Sequence, residues 1–280
     1  MSTQATPALC SQIRRDIVRM VHGASSGHPG GSLGCVELLA KLYFDTMKID
    51  PSNFNMDGKG EDLFFLSNGH ISPVWYSVLS RRGYFPTEEL ATFRKINSRV
   101  QGHPATEEGL PGIRVASGSL GQGLSVAIGA AETKKLNGED TWVYTLHGDG
   151  ELQEGQIWEA AMYAAHNKVD NILSFVDCNG QQIDGPCDEV LSLSDLAGKF
   201  TAFGWHVMEC DGHDLEDLQR VIDEAHSRRG SGVPCIVLMK TEMGKGIDFM
   251  EGTHKWHGVA PNDEQLADAL SQLEETLGDY

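Results

Sequence analysis

The chain has 280 residues, 40% of them apolar, which suffices for one large α/β core or two small domains. Its formal net charge of −18 repels nucleic-acid backbones and anionic membranes, so neither is an expected partner and any anionic ligand must be handled locally. Cysteines at 10, 35, 178, 187, 210 and 235 have neither CxxC nor metal-finger spacing and read as buried free thiols of a reducing compartment. The opening MSTQATPALCSQIRRDIVRM has no long apolar core and no cleavage pattern, and no run can span a bilayer; a cytoplasmic protein is the expectation.

Apolar spacing predicts a helix over 8–22, through Leu9, Ile13, Ile17, Met20 and Val21. GASSGHPGG follows as a loop, and 35–46 reads as a second helix. A polar surface loop covers 50–61, and DLFFLS after it is a short strand. Helices are expected from about 72 and over EELATFRKI. Residues 101–123 form a long loop, a length that in a compact domain is usually functional or disordered. The small-residue helix LSVAIGAAETKKLNG comes next. From 141 the pattern is strand (TWVYTLH), turn (GDGELQEG), helix (QIWEAAMYAAHNKVD), strand (NILSFVD). Strands WHVMEC and PCIVLMK flank the helix LEDLQRVIDEAHSRR, and 262–280 reads as a short helix with an exposed end. Strands apolar nearly throughout, alternating with helices, imply an α/β fold: a doubly wound, mostly parallel sheet flanked by helices, here one domain over 1–280.

The turn HGDGELQEG is unusual. A glycine-rich strand-to-helix turn suits a phosphate, yet this one carries Asp149, Glu151 and Glu154. A divalent cation such as Mg²⁺ or Ca²⁺ between acid and phosphate removes the conflict. Adjacent parallel strands finish at one edge, so Asp149 and Asn179 can converge on one ion, with a backbone carbonyl near Gln181 completing the set. Glu151 and Glu159 read as solvated or helix N-terminal charge.

GDG followed by VDCNGQQIDG resembles the thiamine diphosphate motif, with Cys178 where a first Asn often stands and the ligand position Asn179 kept. SSGHPGG, LSNGH, QGHP, SGSLGQGL, HGDGELQEGQIWEAA and HKWHGVAP occur in that order. From about 9 to 261 they resemble the N-terminal, diphosphate-binding domain of transketolase. The resemblance implies thiamine diphosphate held through Mg²⁺, Ca²⁺ or Mn²⁺ by Asp149, Asn179 and Gln181.

The resemblance also assigns the histidines, each of which has a simpler reading. His28, in a glycine-rich loop, is either a turn residue or faces the sugar. His70 is either a bystander beside a helix capped by Ser67 or Asn68, or a donor to the diphosphate. His103 precedes a proline that fixes a turn; by resemblance it positions or protonates substrate oxygens. His254 and His257, three apart, lack a third zinc ligand nearby; the resemblance gives His257 to diphosphate and substrate and leaves His254 structural. The backbone of Gly118, Ser119 and Leu120 would contact the aminopyrimidine, although GSLGQG could equally serve tight helix packing. Gly150 would offer its N–H to the diphosphate, and Glu154 would lie at an interface between chains. His22, His147, His166, His206, His213 and His226 read as ordinary structural histidines.

The implied reaction breaks the C2–C3 bond of a ketose phosphate and moves the two-carbon unit to an aldose phosphate, with His28, His103 and His257 orienting hydroxyls and relaying protons. In transketolases the glutamate that activates the cofactor is on a pyrimidine-binding domain, which this sequence does not contain. A partner chain carrying the pyrimidine-binding and C-terminal domains is therefore expected, with two copies of each chain. Alternatives are a transketolase-like enzyme for an unusual ketose, half of a 2-oxoacid decarboxylase or dehydrogenase, and a non-catalytic chain that only binds thiamine diphosphate. For a nicotinamide dehydrogenase the required glycine fingerprint is missing.

Overall fold

The computed structural model describes residues 4–280. Strands β1 (Leu63–Leu66), β2 (Val143–Gly148), β3 (Ile172–Cys178), β6 (His206–Asp211) and β7 (Cys235–Lys240) form one sheet in the order β1-β2-β3-β7-β6, every pairing parallel. Strands β4 (Gln181–Gln182) and β5 (Gly185–Pro186) form a small antiparallel hairpin just beyond β3. Alternation along each strand divides the core. Phe64, Tyr144, Phe175 and Val237 face one cluster, and Phe65, Val143, Val176 and Ile236 face the other. Period-2 side chains thus cover both faces, at roughly 1.5–3 kcal/mol for each fully buried large apolar group.

On the first face lie α1 (Pro7–Ala24), α3 (Val36–Lys41), α4 (Ser72–Arg82), α9 (Leu215–Ser227) and α10 (Asp263–Gln272). On the second lie α5 (Gln122–Leu136), α6 (Gly155–His166) and α8 (Leu196–Ala202). Helix ends follow local chemistry. Thr6 caps α1, its hydroxyl accepting from Leu9 N–H at 3.2 Å, and Asp214 caps α9, accepting from Glu216 and Asp217 N–H. All six cysteines are free, and all but Cys178 are buried.

Four sequence expectations need correction. The loop after α1 is shorter than GASSGHPGG, because Pro29 starts the buried helix α2 (Pro29–Gly34) with its φ already helical. The helix expected over 35–46 changes to a wider π turn at Leu42–Thr46. EELATFRKI makes only a 3-10 stretch, Thr87–Thr92, since Arg94 (φ +59°) and Asn97 (φ +63°) turn left-handed and end any helix. The hairpin β4–β5 and the short helix α7 (Cys187–Leu191) carry too few residues to leave a period in the sequence.

The C-terminal tail is also not simply exposed. Asp279 pairs with Arg15 at 2.7 Å and accepts from Gln12, and Arg19 donates to the Tyr280 carbonyl. The Arg15 hydrogen bond, ahead of Gln12 and Arg19, holds the Asp279 carboxyl down at about 2 despite partial burial. A depressed folded value means this stabilisation is complete above the ordinary carboxylate range and is lost as pH falls toward 2. Asp279→Asn should therefore lower the thermal midpoint at pH 7 by about 2–4 °C, for about 1 kcal/mol after solvent screening. Scanning calorimetry at pH 7 and pH 2.5 checks it, and the difference between the two proteins should shrink at the lower pH.

Candidate active site

The carboxyl ends of β1, β2, β3 and β7 open into a cleft of about 280 Å³. Strand register sets its acidic floor. Gly148 lies opposite Asp177, so Asp149 leaves β2 just as Cys178 and Asn179 leave β3. Asp149 is buried; one carboxylate oxygen accepts from Gly150 N–H and the other from Gly180 N–H, each at 2.7 Å, and the Cys187 thiol lies 3.4 Å away. Burial first, then the charge of Asp177, pushes the Asp149 carboxyl up to about 6. Asn179 donates from Nδ2 to Asp177 at 2.7 Å and accepts from Gln181 N–H at 2.9 Å. Thr241 donates its hydroxyl to Asp177.

Histidines form the opposite wall. His28 lies 5.0 Å from His70, 5.5 Å from His257 and 6.4 Å from His103, between ring centroids, and His70 stacks on His257 at 5.2 Å. Burial lowers all four pKa values. For His28 the added charges of His257, Arg94 and His103 bring it to about 4, and Arg94 adds to the lowering at His103. Near pH 7 these rings are neutral, each with one donor and one acceptor nitrogen. Nδ1 of His28 and of His257 is buried with no partner, as is Oδ1 of Asn68.

Of the residues singled out from sequence, His28, His70, His103 and His257 line the cleft together with Gly118 and Leu120. Gly150, Asp149, Asn179 and Gln181 line it too. Ser119 is exposed and is not part of the lining, so of the 118–120 stretch only its two ends face the cleft. His254 opens a 3-10 turn, His254–Trp256, outside the cleft. His22, His206 and His226 pair with Asp263, Glu224 and Tyr144 away from it.

Glu151 departs most from its sequence reading. It is buried, not solvated: its carboxylate accepts from the Ser67 hydroxyl, from Gly121 N–H at 2.8 Å and from Gly148 N–H at 3.1 Å. One side chain thereby ties together the end of β1, the start of α5 and the end of β2. Burial pushes its pKa up, but His147, Ser67 and Gly121 outweigh that and hold the carboxyl below its usual range. Gly123 lets α5 approach, since a Cβ there would lie 2.8 Å from Ser67 Cα. An acid in a turn carries no periodicity, so nothing in the sequence marks it as buried. Asp177, Met243 and Ile183 also line the cleft without having been singled out.

The donor set suits a hard cation and an anionic ligand. Asp149, the Asn179 amide and the Gln181 carbonyl offer oxygen ligands, and among the described residues no Lys or Arg pairs with Asp149. The unpartnered histidine nitrogens and the glycine turn at 148–150 offer donors with little steric cover.

An open parallel sheet with an acid-floored, histidine-walled cleft at its strand ends is a ligand-binding α/β domain. Residues 6–277 match the family model described as "Transketolase, thiamine diphosphate binding domain". One of the two apulose-4-phosphate transketolase chains of Phocaeicola vulgatus, itself named as a subunit, is 38% identical over 267 residues, covering 94% of this chain and 92% of that one. The 6-deoxy-6-sulfo-D-fructose transketolase subunit SqwG of Clostridium sp. is 39% identical, covering 94% of each. The solved transketolase of Leishmania mexicana superposes with a TM-score of 0.89 at 30% identity; the match covers 99% of this chain but only 43% of that longer one. The chain belongs to the transketolase family, as its thiamine diphosphate-binding domain. Among the described residues no helix is long and apolar enough to cross a membrane.

Proposed function

We propose that this chain is the diphosphate-binding subunit of a two-chain transketolase, which moves a two-carbon ketol unit from a ketose phosphate to an aldose phosphate in cytoplasmic pentose phosphate metabolism. The observation that carries this reading is the meeting of four histidine rings with the Asp149–Asn179 pair in one cleft. The near-equal length of relatives themselves named as subunits supports it. In this reading Asp149, Asn179 and the Gln181 carbonyl hold Mg²⁺, or Ca²⁺ or Mn²⁺ on the same oxygens. His70, His257, the Gly150 N–H and the 118–120 backbone hold the cofactor. Thiamine diphosphate, when bound, supplies the electron sink for cleaving a carbon–carbon bond beside a carbonyl. His28, His103 and His257 orient the sugar hydroxyls, and as neutral rings they can take up and return protons. A partner chain brings the pyrimidine-binding and C-terminal domains, with two copies of each chain in the assembly.

The test is two-carbon transfer from xylulose 5-phosphate to ribose 5-phosphate with Mg²⁺ and thiamine diphosphate. This chain is assayed alone and mixed with a chain carrying the complementary domains. Activity only in the mixture is expected. Activity of this chain alone would remove the need for a partner. A mixture silent on every ketose phosphate tried would sink the catalytic reading.

The names of the relatives favour a second reading, in which the donor is a less common ketose. It predicts a mixture that prefers a branched or sulfonated ketose donor over xylulose 5-phosphate, which a donor panel decides.

A further inference from the structure

Two histidines of the cleft, His28 and His103, each follow a glycine, and both glycines press against the same neighbouring pair of residues. A Cβ on Gly27, whose φ is +144°, would lie 3.2 Å from Phe93 Cε1. A Cβ on Gly102 would lie 2.6 Å from Cζ and 2.7 Å from Nε of Arg94. Arg94 also donates from Nη1 to the Ser26 hydroxyl at 3.0 Å. It reaches both loops from a left-handed backbone, φ +59°, that a non-glycine residue adopts only at a cost, with its own N–H held by the Val100 carbonyl at 2.9 Å. Gly102 is fixed from the far side, its carbonyl accepting from the Ser72 hydroxyl at 2.8 Å. Arg94 does not line the cleft.

We propose that Phe93 and Arg94 form a wedge between the loops at 25–28 and 101–103, and that Arg94 is a positioning residue setting the separation of His28 from His103. The inference rests on the proposed function for the role of those histidines, though the wedge itself is a matter of packing. The planar guanidinium fills the space that the missing Cβ of Gly102 leaves, while its edge bonds Ser26. A lysine keeps the charge but neither the plane nor the fork. The wedge also accounts for the lost helix over EELATFRKI, since a helical Arg94 would present its side chain in another direction.

The test uses Arg94→Ala, Arg94→Lys, Gly102→Ala and the double variant Arg94→Ala/Gly102→Ala. Gly102 is not among the positive-φ residues, so alanine is compatible with its backbone; the added methyl displaces the flexible guanidinium. Two readouts are taken. The first is kcat/KM for two-carbon transfer in the two-chain mixture, beside the affinity for thiamine diphosphate. The second is the imidazole ¹⁵N resonances of His28 and His103 in the full chain alone. Each single variant should lower kcat/KM about 10–100-fold, the cost of a displacement near 1 Å, with cofactor affinity unchanged. The double variant should be no worse than the worse single, because both changes remove one contact. The histidine resonances should move alike in all four proteins. Multiplying defects in the double variant, or an Arg94→Lys protein at wild-type activity, would overturn the wedge. If the wild-type mixture transfers nothing, the functional reading fails, and the resonances still decide the wedge: unmoved resonances overturn it.

Discussion

Replacing Asp149 by alanine is expected to abolish Mg²⁺-dependent retention of thiamine diphosphate and to lower two-carbon transfer by on the order of 10³-fold. The side chain is buried beside the equally buried Asp177, with no Lys or Arg paired to it among the described residues. Two buried like charges without a counter-charge are costly, and a divalent ion is the group that reverses the cost. A readout besides activity is available. At about 100 times Kd, Mg²⁺ with thiamine diphosphate should stabilise the wild-type complex by about 2.7 kcal/mol, and the variant should lose that thermal shift. A variant that kept the shift would remove Asp149 from the metal set.

Glu151→Ala should be the most damaging change to the fold near the cleft. It leaves the Ser67 hydroxyl and the Gly121 and Gly148 N–H groups buried without their acceptor. The expected loss is about 3–5 kcal/mol, since the pocket is dry and the acceptor is charged. That corresponds to a fall in thermal midpoint of roughly 10 °C for a chain of this size. Glu151→Gln, which keeps one carbonyl acceptor, should lose about half as much. Because the three donors end β1, begin α5 and end β2, cofactor affinity should fall with stability in both variants. Denaturant unfolding and cofactor titration on the same preparations check the pairing. An alanine variant as stable as wild type would mean that water replaces the carboxylate.

The strands were legible in sequence because burial on both faces of a parallel sheet requires nearly unbroken apolar runs, and VYTLHG and ILSFVDC have them. The convergence of Asp149 with Asn179 was legible for a related reason: parallel neighbours must end at one edge, and the register Gly148 to Asp177 is that edge. The histidines at 28, 70, 103 and 257 were found through their short motifs, not through any period. Sequence reasoning failed at EELATFRKI, where Leu90 and Phe93 suggested an amphipathic helix but Arg94 turns left-handed toward Ser26 and Gly102. It also failed at the tail, where Arg15 and Arg19 on α1 capture Asp279 and Tyr280 from the far end of the chain.

By itself, then, the sequence determined the layered α/β architecture, the acidic turn and the family. Each is written in residues close along the chain, as alternation, glycine punctuation or a motif. The tertiary structure alone decided that Glu151 is a buried tie, that Ser119 stands outside the cleft and that Arg94 spaces two histidine loops. Those roles depend on donors and glycines brought from distant segments by strand register and helix packing, and local pattern carries no record of such meetings.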